Sequence, residues 1–434
     1  MVTIAASDGS PPSIVTDHSV TPCQTALMDH IVVVGASLAG LRSCEQLRLN
    51  DFAGRITLLG AEAHEPYDRP PLSKKLLAGD WEPDRVRLRK PGELDELRID
   101  ARLGASATAL DPERQVVSLA DGTEVSYDGL VVATGAAPRR LPGQPDAVGI
   151  HLLRTLDDSL ALREHLVAGA QVVVIGAGFI GLEVAATARH RGCAVVVLEG
   201  LPAPLVRGLG ERMGTAVAAV HGRHGVDVRC GVQVAGIEVD GGRVRAVSLA
   251  DGTALPADVV VVGIGVSPCV DWLVGSGAEL RDGVVCDATL WTGLPNVFAA
   301  GDCARWVNEQ FGEEMRVEHW TNAAEQGAAV ANNLVALSRG EPTTPYSAVP
   351  FFWSDQFDSR IQFLGRAAGT PDDQIEVVAG DLDGKFCALY GHQDRLRGVL
   401  GVSMPRMVMP MRKLLTERAS WQEGLAFAER ARPA

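Results

Sequence analysis

No stretch of this 434-residue chain stays apolar over the roughly 20 residues that a membrane-spanning helix needs, so no membrane span is expected. The eight cysteines include no Cys-x-x-Cys pair, which argues against a structural zinc site, a redox-active disulfide and a secreted disulfide scaffold. No metal site is expected, and a reducing cytoplasm is the natural compartment. Basic residues number 40 against 54 acidic ones, a net charge of −14, which argues against non-specific nucleic-acid binding. Hydrophobic content of 46% and charged content of 22% are ordinary for a globular protein, and the length suggests two or three domains.

Residues 1–28 are rich in Ser, Thr, Pro and Ala, lack the basic and apolar regions of a signal peptide, and read as a disordered tail. Met28, directly before Asp29-His-Ile-Val-Val-Val-Gly, is as good a start as Met1. From there the chain carries one pattern twice. Ile31–Val34 runs into Gly35-Ala-Ser-Leu-Ala-Gly40, and Val172–Ile175 into Gly176-Ala-Gly-Phe-Ile-Gly181. Each turn opens a helix-like segment, and a second strand then leads to an acid, Glu62 in the first case and Glu199 in the second. Glycines let the backbone turn tightly against a pyrophosphate, the helix N-terminus offers free N–H groups, and the distal carboxylate accepts from ribose hydroxyls. One such turn is weak evidence. Two in full context predict two dinucleotides, which in one enzyme means FAD plus NAD(P)H.

The rest of the chain repeats the theme. Residues 115–127 predict a hairpin at Asp121-Gly122, followed by a buried strand ending at Thr134-Gly135; Asp251-Gly252 and the strand ending at Gly265 echo it in the second unit. Pro138–Pro145 reads as a linker. A helix is expected over 151–167, a strand ends at Gly301-Asp302, and 320–337 is helical. Aromatic strands fill the region after Pro345, followed by a basic amphipathic helix near 405–418. The expected division is an FAD-binding domain in two parts (29–145 and 269–340), an NAD-binding domain (146–268) and a C-terminal domain (341–434).

Pro66-Tyr-Asp-Arg-Pro-Pro-Leu-Ser-Lys74, Gly301-Asp-Cys-Ala304, Glu318-His-Trp320 and Phe352-Trp-Ser-Asp-Gln356 are narrower signals. With the glycine turns they resemble one family, the FAD-dependent, NADH-using reductases that feed electrons to small iron–sulfur proteins in bacterial oxygenase systems. The resemblance implies an α/β, glutathione-reductase-like fold with two dinucleotide-binding domains and a C-terminal α+β domain. It implies that Gly35, Ser37 and Gly40 hold the FAD pyrophosphate and Glu62 its ribose. Ser37 stands where the strict pattern has glycine, and its Cβ crowds the phosphates slightly. Arg69 and Lys74 would lie near the flavin, Asp302 would bond the ribityl chain, and Thr134, Gly135 and Gly301 would line the same site. Gly176, Gly178, Gly181, Gly265 and Glu199 would take NADH. Glu183 would approach the nicotinamide carboxamide and Trp320 would face the flavin, so Lys74, Glu183 and Trp320 are the catalytic candidates.

The implied partner is a [2Fe–2S] ferredoxin, and behind it a haem-thiolate or Rieske oxygenase. Arg305, Arg316, Arg406, Arg412 and Lys413 are candidates for a basic docking patch. A disulfide or CoA-disulfide reductase, or an NADH oxidase, would need a cysteine beside the flavin early in the first domain, and residues 60–90 contain none. A redox-gated binding protein resembling apoptosis-inducing factor would want a basic surface, against the observed net charge of −14.

Overall fold

The computed structural model describes residues 28–367 and 374–432. Residues 1–27 of the expected tail, with Cys23, lie outside the described residues. Met28 belongs to the first hydrophobic core rather than to a tail, because its side chain is buried there.

In chain order, β1 (His30–Val34), α1 (Leu38–Leu49), β2 (Arg55–Gly60), β3 (Ile99–Leu103) and β4 (Gly129–Val132) open the fold. Then come β5 (Ile150–His151), α2 (Leu156–His165), β6 (Gln171–Ile175), α3 (Phe179–His190), β7 (Ala194–Glu199), α4 (Glu211–Arg223), β8 (Asp227–Cys230) and β9 (Val259–Val262). They are followed by β10 (Val297–Ala299), α5 (Trp320–Ser338), β11 (Phe351–Gln356), β12 (Ser359–Gly365), β13 (Ile375–Gly380), β14 (Phe386–His392), β15 (Arg395–Val402) and α6 (Trp421–Ala431).

Three five-stranded sheets organise these elements. The first, in order β10-β4-β1-β2-β3, is all parallel. The second, β8-β7-β6-β9-β5, is also all parallel. The unbroken Val and Ile runs of β1, β6 and β9 follow from this, since a parallel strand covered on both faces has no solvent side to alternate toward. The third sheet, β11-β12-β15-β14-β13, is antiparallel. Its inward face shares one core with α3 and the second sheet, where Phe363 and Tyr390 meet Leu182 and Leu209.

Both Asp-Gly signals form hairpin turns. Gly122 and Gly252 take φ of +84° and +87°, and the preceding aspartate accepts from the following threonine N–H in each. The segment expected as a linker starts where a short strand, Ala136–Pro138, ends, and that strand pairs antiparallel with Val266–Pro268. The expected helix near 405–418 is two short ones, Pro405–Val408 and Met411–Thr416. Pro410 between them has no N–H to continue the first and starts the second.

Candidate functional site

The two glycine turns open on a single cleft of about 1720 Å³. That exceeds the roughly 300–1,000 Å³ of a pocket for one small ligand. The turns are built alike. Gly35 has φ +119°, and a Cβ there would lie 2.0 Å from the Ala133 carbonyl oxygen; Gly176 has φ +105°, and a Cβ would lie 2.3 Å from that of Gly263. Gly40 packs behind Gly35 and is not among the residues lining the cleft. A Cβ on it would sit 1.9 Å from the Gly35 oxygen, as one on Gly181 would sit 2.1 Å from that of Gly176. Both glycines let a helix press against its own strand.

Ser37 and Gly178 are the N-caps of α1 and α3, and neither helix has a side-chain cap or an acid in its first turn. By contrast α2 and α6 close themselves with capping boxes, Thr155 with Asp158 and Ser420 with Glu423. Two helix N-termini left uncapped toward a cleft present free N–H groups and positive dipole ends, which fits two pyrophosphates.

Around the first turn, the Arg69 guanidinium donates to Glu62 Oε1 (2.7 Å), to Ser37 Oγ (3.2 Å) and to the Arg154 carbonyl (2.5 Å). Tyr67 Oη donates to the other Glu62 oxygen. Burial opposes the Arg69 charge, but the Tyr67 and Glu62 oxygens outweigh it and hold the guanidinium protonated more firmly than usual. Asp302 pairs with Arg154 at 2.8 Å, the Gly301 N–H donates to Gln326 Oε1 (2.8 Å), and Thr134 Oγ1 donates to the Cys269 carbonyl (2.6 Å). Gly135, with φ +67°, lies against Arg154.

The deepest group is Glu183, only 3% exposed, which pairs with Lys74 Nζ at 2.6 Å. It accepts as well from Ser73 Oγ (2.5 Å) and Ser354 Oγ (2.6 Å). Lys74 is therefore a half-enclosed cleft residue rather than a surface lysine. The Trp320 indole N–H donates to Asp68 Oδ1 at 2.7 Å, and its ring meets Trp353 edge-on at 6.1 Å. Burial raises the Asp68 carboxyl above its usual range despite that bond. Beside it His319 lines the cleft half-buried, and burial lowers its imidazole to about 4, so it is neutral near pH 7.

At the second turn the Glu199 carboxylate accepts from the N–H groups of Ala177 (2.8 Å) and Leu201 (2.9 Å). Gly265, at φ +101°, and Phe179 line the cleft nearby, and Phe179 meets Phe352 edge-on at 4.6 Å.

Two docking candidates are corrected here. Arg305 is paired with Glu314 (3.0 Å) and Asp282 (3.5 Å). The Arg316 side chain is 9% exposed and held by Glu318 (2.7 Å) and Asp282 (3.2 Å). Their charges are spent within the fold. Arg406 and Lys413 are exposed, and Arg412 is half-buried with its guanidinium over the Phe351 ring.

Tyr67, Asp68, Arg154, Ser354 and Gln356 were not among the expected site residues. Tyr67 and Asp68 sit inside the Pro66–Lys74 segment and were within reach of the sequence. Arg154 carries no local signal. All seven described cysteines are free, and Cys44, Cys286, Cys303 and Cys387 are buried with their thiols pushed up by burial. No described helix is long and apolar enough to cross a membrane.

Two parallel sheets, each presenting an uncapped helix to one cleft, with a buried lysine–glutamate pair between them, define a two-dinucleotide oxidoreductase. The pyridine nucleotide-disulphide oxidoreductase family matches residues 29–327 and the reductase C-terminal family residues 351–431. The chain belongs to the pyridine nucleotide-disulphide oxidoreductases and carries that C-terminal domain. It is 38% identical over 388 residues to rhodocoxin reductase of Rhodococcus erythropolis, covering 89% of each chain. It is 38% identical to the ferredoxin–NAD(+) reductase component of the anthranilate 1,2-dioxygenase system of Burkholderia cepacia, covering 90% of this chain and 95% of the other. Its fold superposes with a TM-score of 0.86 on the reductase of the covalent putidaredoxin reductase–putidaredoxin complex, at 34% identity over 92% of this chain and 99% of that one.

Proposed function

We propose that the chain is an NADH-dependent flavoprotein reductase that delivers electrons to a [2Fe–2S] ferredoxin serving a haem-thiolate or Rieske oxygenase. The pair of uncapped helix N-termini facing one cleft carries this reading, and the named relatives, themselves reductases of such systems, support it. FAD, when bound, supplies the chemistry of taking two electrons from a nicotinamide and releasing them singly.

The residues do the rest. The N–H groups of the Ala36–Leu38 turn would hold the FAD pyrophosphate, the Gly35 N–H being donated to the Leu59 carbonyl, with Arg69 close by to balance its charge. Glu62 would bind the adenosine ribose, and Asp302, oriented by Arg154, the ribityl chain. The second turn, opening on the N-cap Gly178, would hold the NADH pyrophosphate, while Gly181 lets α3 sit close against β6. Lys74 keeps a positive charge at the base of the cleft, and Glu183 fixes its position. Trp320, tethered by Asp68, would close the flavin side. The absence of cysteine from residues 60–90 disfavours a thiol-based reductase or NADH oxidase. Seven free thiols suit a reducing cytoplasm, where we place the protein.

Glu199 would set the coenzyme. Its carboxylate is pinned by two N–H groups at the end of β7. A 2′-phosphate at ~4 Å would be repelled by ~4 kcal/mol per charge pair at an effective dielectric near 20. NADH should therefore reduce the flavin far more efficiently than NADPH, and Glu199→Arg should narrow or reverse the ratio of kcat/KM. Equal wild-type efficiency with both coenzymes would remove this role from Glu199.

A further inference from the structure

The buried Glu183 is served from three parts of the chain. Lys74 and Ser73 reach it from the Pro-rich segment after β2, and Ser354 reaches it from β11 in the C-terminal sheet. Ser354 and Gln356 are alternate residues of β11 and so share its inward face, where each is 1% exposed. Gln356 Nε2 donates to Ser354 Oγ at 3.0 Å, and Gln356 Oε1 lies 2.8 Å from His221 Nε2 on α4. An amide oxygen only accepts, so His221 Nε2 carries the proton. Its Nδ1 is buried with no partner among the described residues, and burial favours the neutral ring.

The sense of every bond is then the same. His221 donates to Gln356, Gln356 to Ser354, and Ser354 to Glu183. Hydrogen bonds aligned head to tail polarise one another, and here the positive end of each dipole points at the carboxylate. Both Glu183 oxygens are taken by donors, Oε1 by Ser354 and Oε2 by Ser73 and Lys74. The only charged partner of Glu183 among the described residues is Lys74, whose charge also acts on Asp68, on the loop before Arg69.

We propose that Ser354, Gln356 and His221 are positioning residues, a relay by which the C-terminal sheet and α4 hold the Glu183 carboxylate in place and aimed at Lys74. The relay makes the charge at the base of the cleft a property of all three sheets rather than of the two nucleotide-binding ones. It rests on the reading of the cleft as a flavin and nicotinamide site.

The test compares wild type, Ser354→Ala, Ser354→Thr and Gln356→Leu as FAD-loaded proteins. The readouts are the flavin midpoint potential and the rate of flavin reduction by NADH. Losing one charge-assisted hydrogen bond should slow flavin reduction by about tenfold. It should also make the potential more negative, because Lys74 loses its fixed place. Ser354→Thr, which keeps the hydroxyl, should restore both, and Gln356→Leu should act in the same direction more weakly. In the apoprotein, Ser354→Ala and Glu183→Gln should be non-additive in unfolding free energy. A folded Ser354→Ala or Gln356→Leu protein with wild-type potential and flavin-reduction rate would overturn the relay, as would strict additivity in the apoprotein. A wild type that takes up no FAD would instead overturn the functional reading, and the apoprotein cycle would still judge the relay.

Discussion

His319 shows how one half-buried side chain makes stability depend on pH. Its imidazole is lowered from 6.5 to about 4 by burial, so between those values the unfolded chain binds a proton that the folded chain refuses. Its share of stability is whole above the unfolded value and is lost as pH falls toward the folded one, up to about 3 kcal/mol for this residue. On going from about pH 7 to about pH 4.5, Tm of the FAD-saturated protein should fall, and His319→Asn should fall less steeply. A variant that loses Tm as steeply as wild type would show that His319 is not responsible. The residue-scale facts were the least legible in the sequence. Trp320 and Asp68 are 252 positions apart, Arg154 and Asp302 are 148 apart, and no local pattern announces such meetings. Arg305 and Arg316 fail as docking residues for the same reason, since the carboxylates that neutralise them come from neighbouring strands and loops.

At the scale of elements the sequence is far more legible, because strand, glycine turn and helix are fixed by adjacent residues. Gly176 must take φ +105° while its α-carbon passes against the Gly263 carbonyl, and both demands are visible as a glycine between a valine-rich strand and a helix. Gly176→Ala should cost about 3 kcal/mol in stability through strain and overpacking. It should abolish flavin reduction by NADH while leaving the protein yellow and reducible by dithionite. NADH reduction at the wild-type rate would show that this turn does not cradle the coenzyme. Elsewhere the local signals are weaker or compete. The helix expected over 405–418 breaks at Pro410, and the strand Ile375–Gly380 was not anticipated. Helix α6 was also missed, although Ser420 and Glu423 spell its capping box in the sequence.

For the whole molecule the open question is where an electron leaves. With Arg305 and Arg316 engaged internally, Arg406, Arg412 and Lys413 are the remaining basic candidates for steering an acidic ferredoxin. Replacing the three by glutamine should raise KM for ferredoxin several-fold at low salt and leave NADH reduction of the flavin unchanged. The difference should shrink near 0.15 M salt, where screening acts over about 8 Å. Unaltered ferredoxin kinetics at low salt would place the docking face elsewhere.

The short ribbon of Ala136–Pro138 against Val266–Pro268 has a consequence for descent. The chain leaves the first sheet along one of these strands and comes back along the other, side by side and hydrogen-bonded. The stretch between them is tied covalently through this one doorway, but it also shares a core with the third sheet. A recombination event that exchanges it as a cassette has two seams to mend, the ribbon and that shared core. A lineage could in this way inherit a new electron donor while keeping its old acceptor.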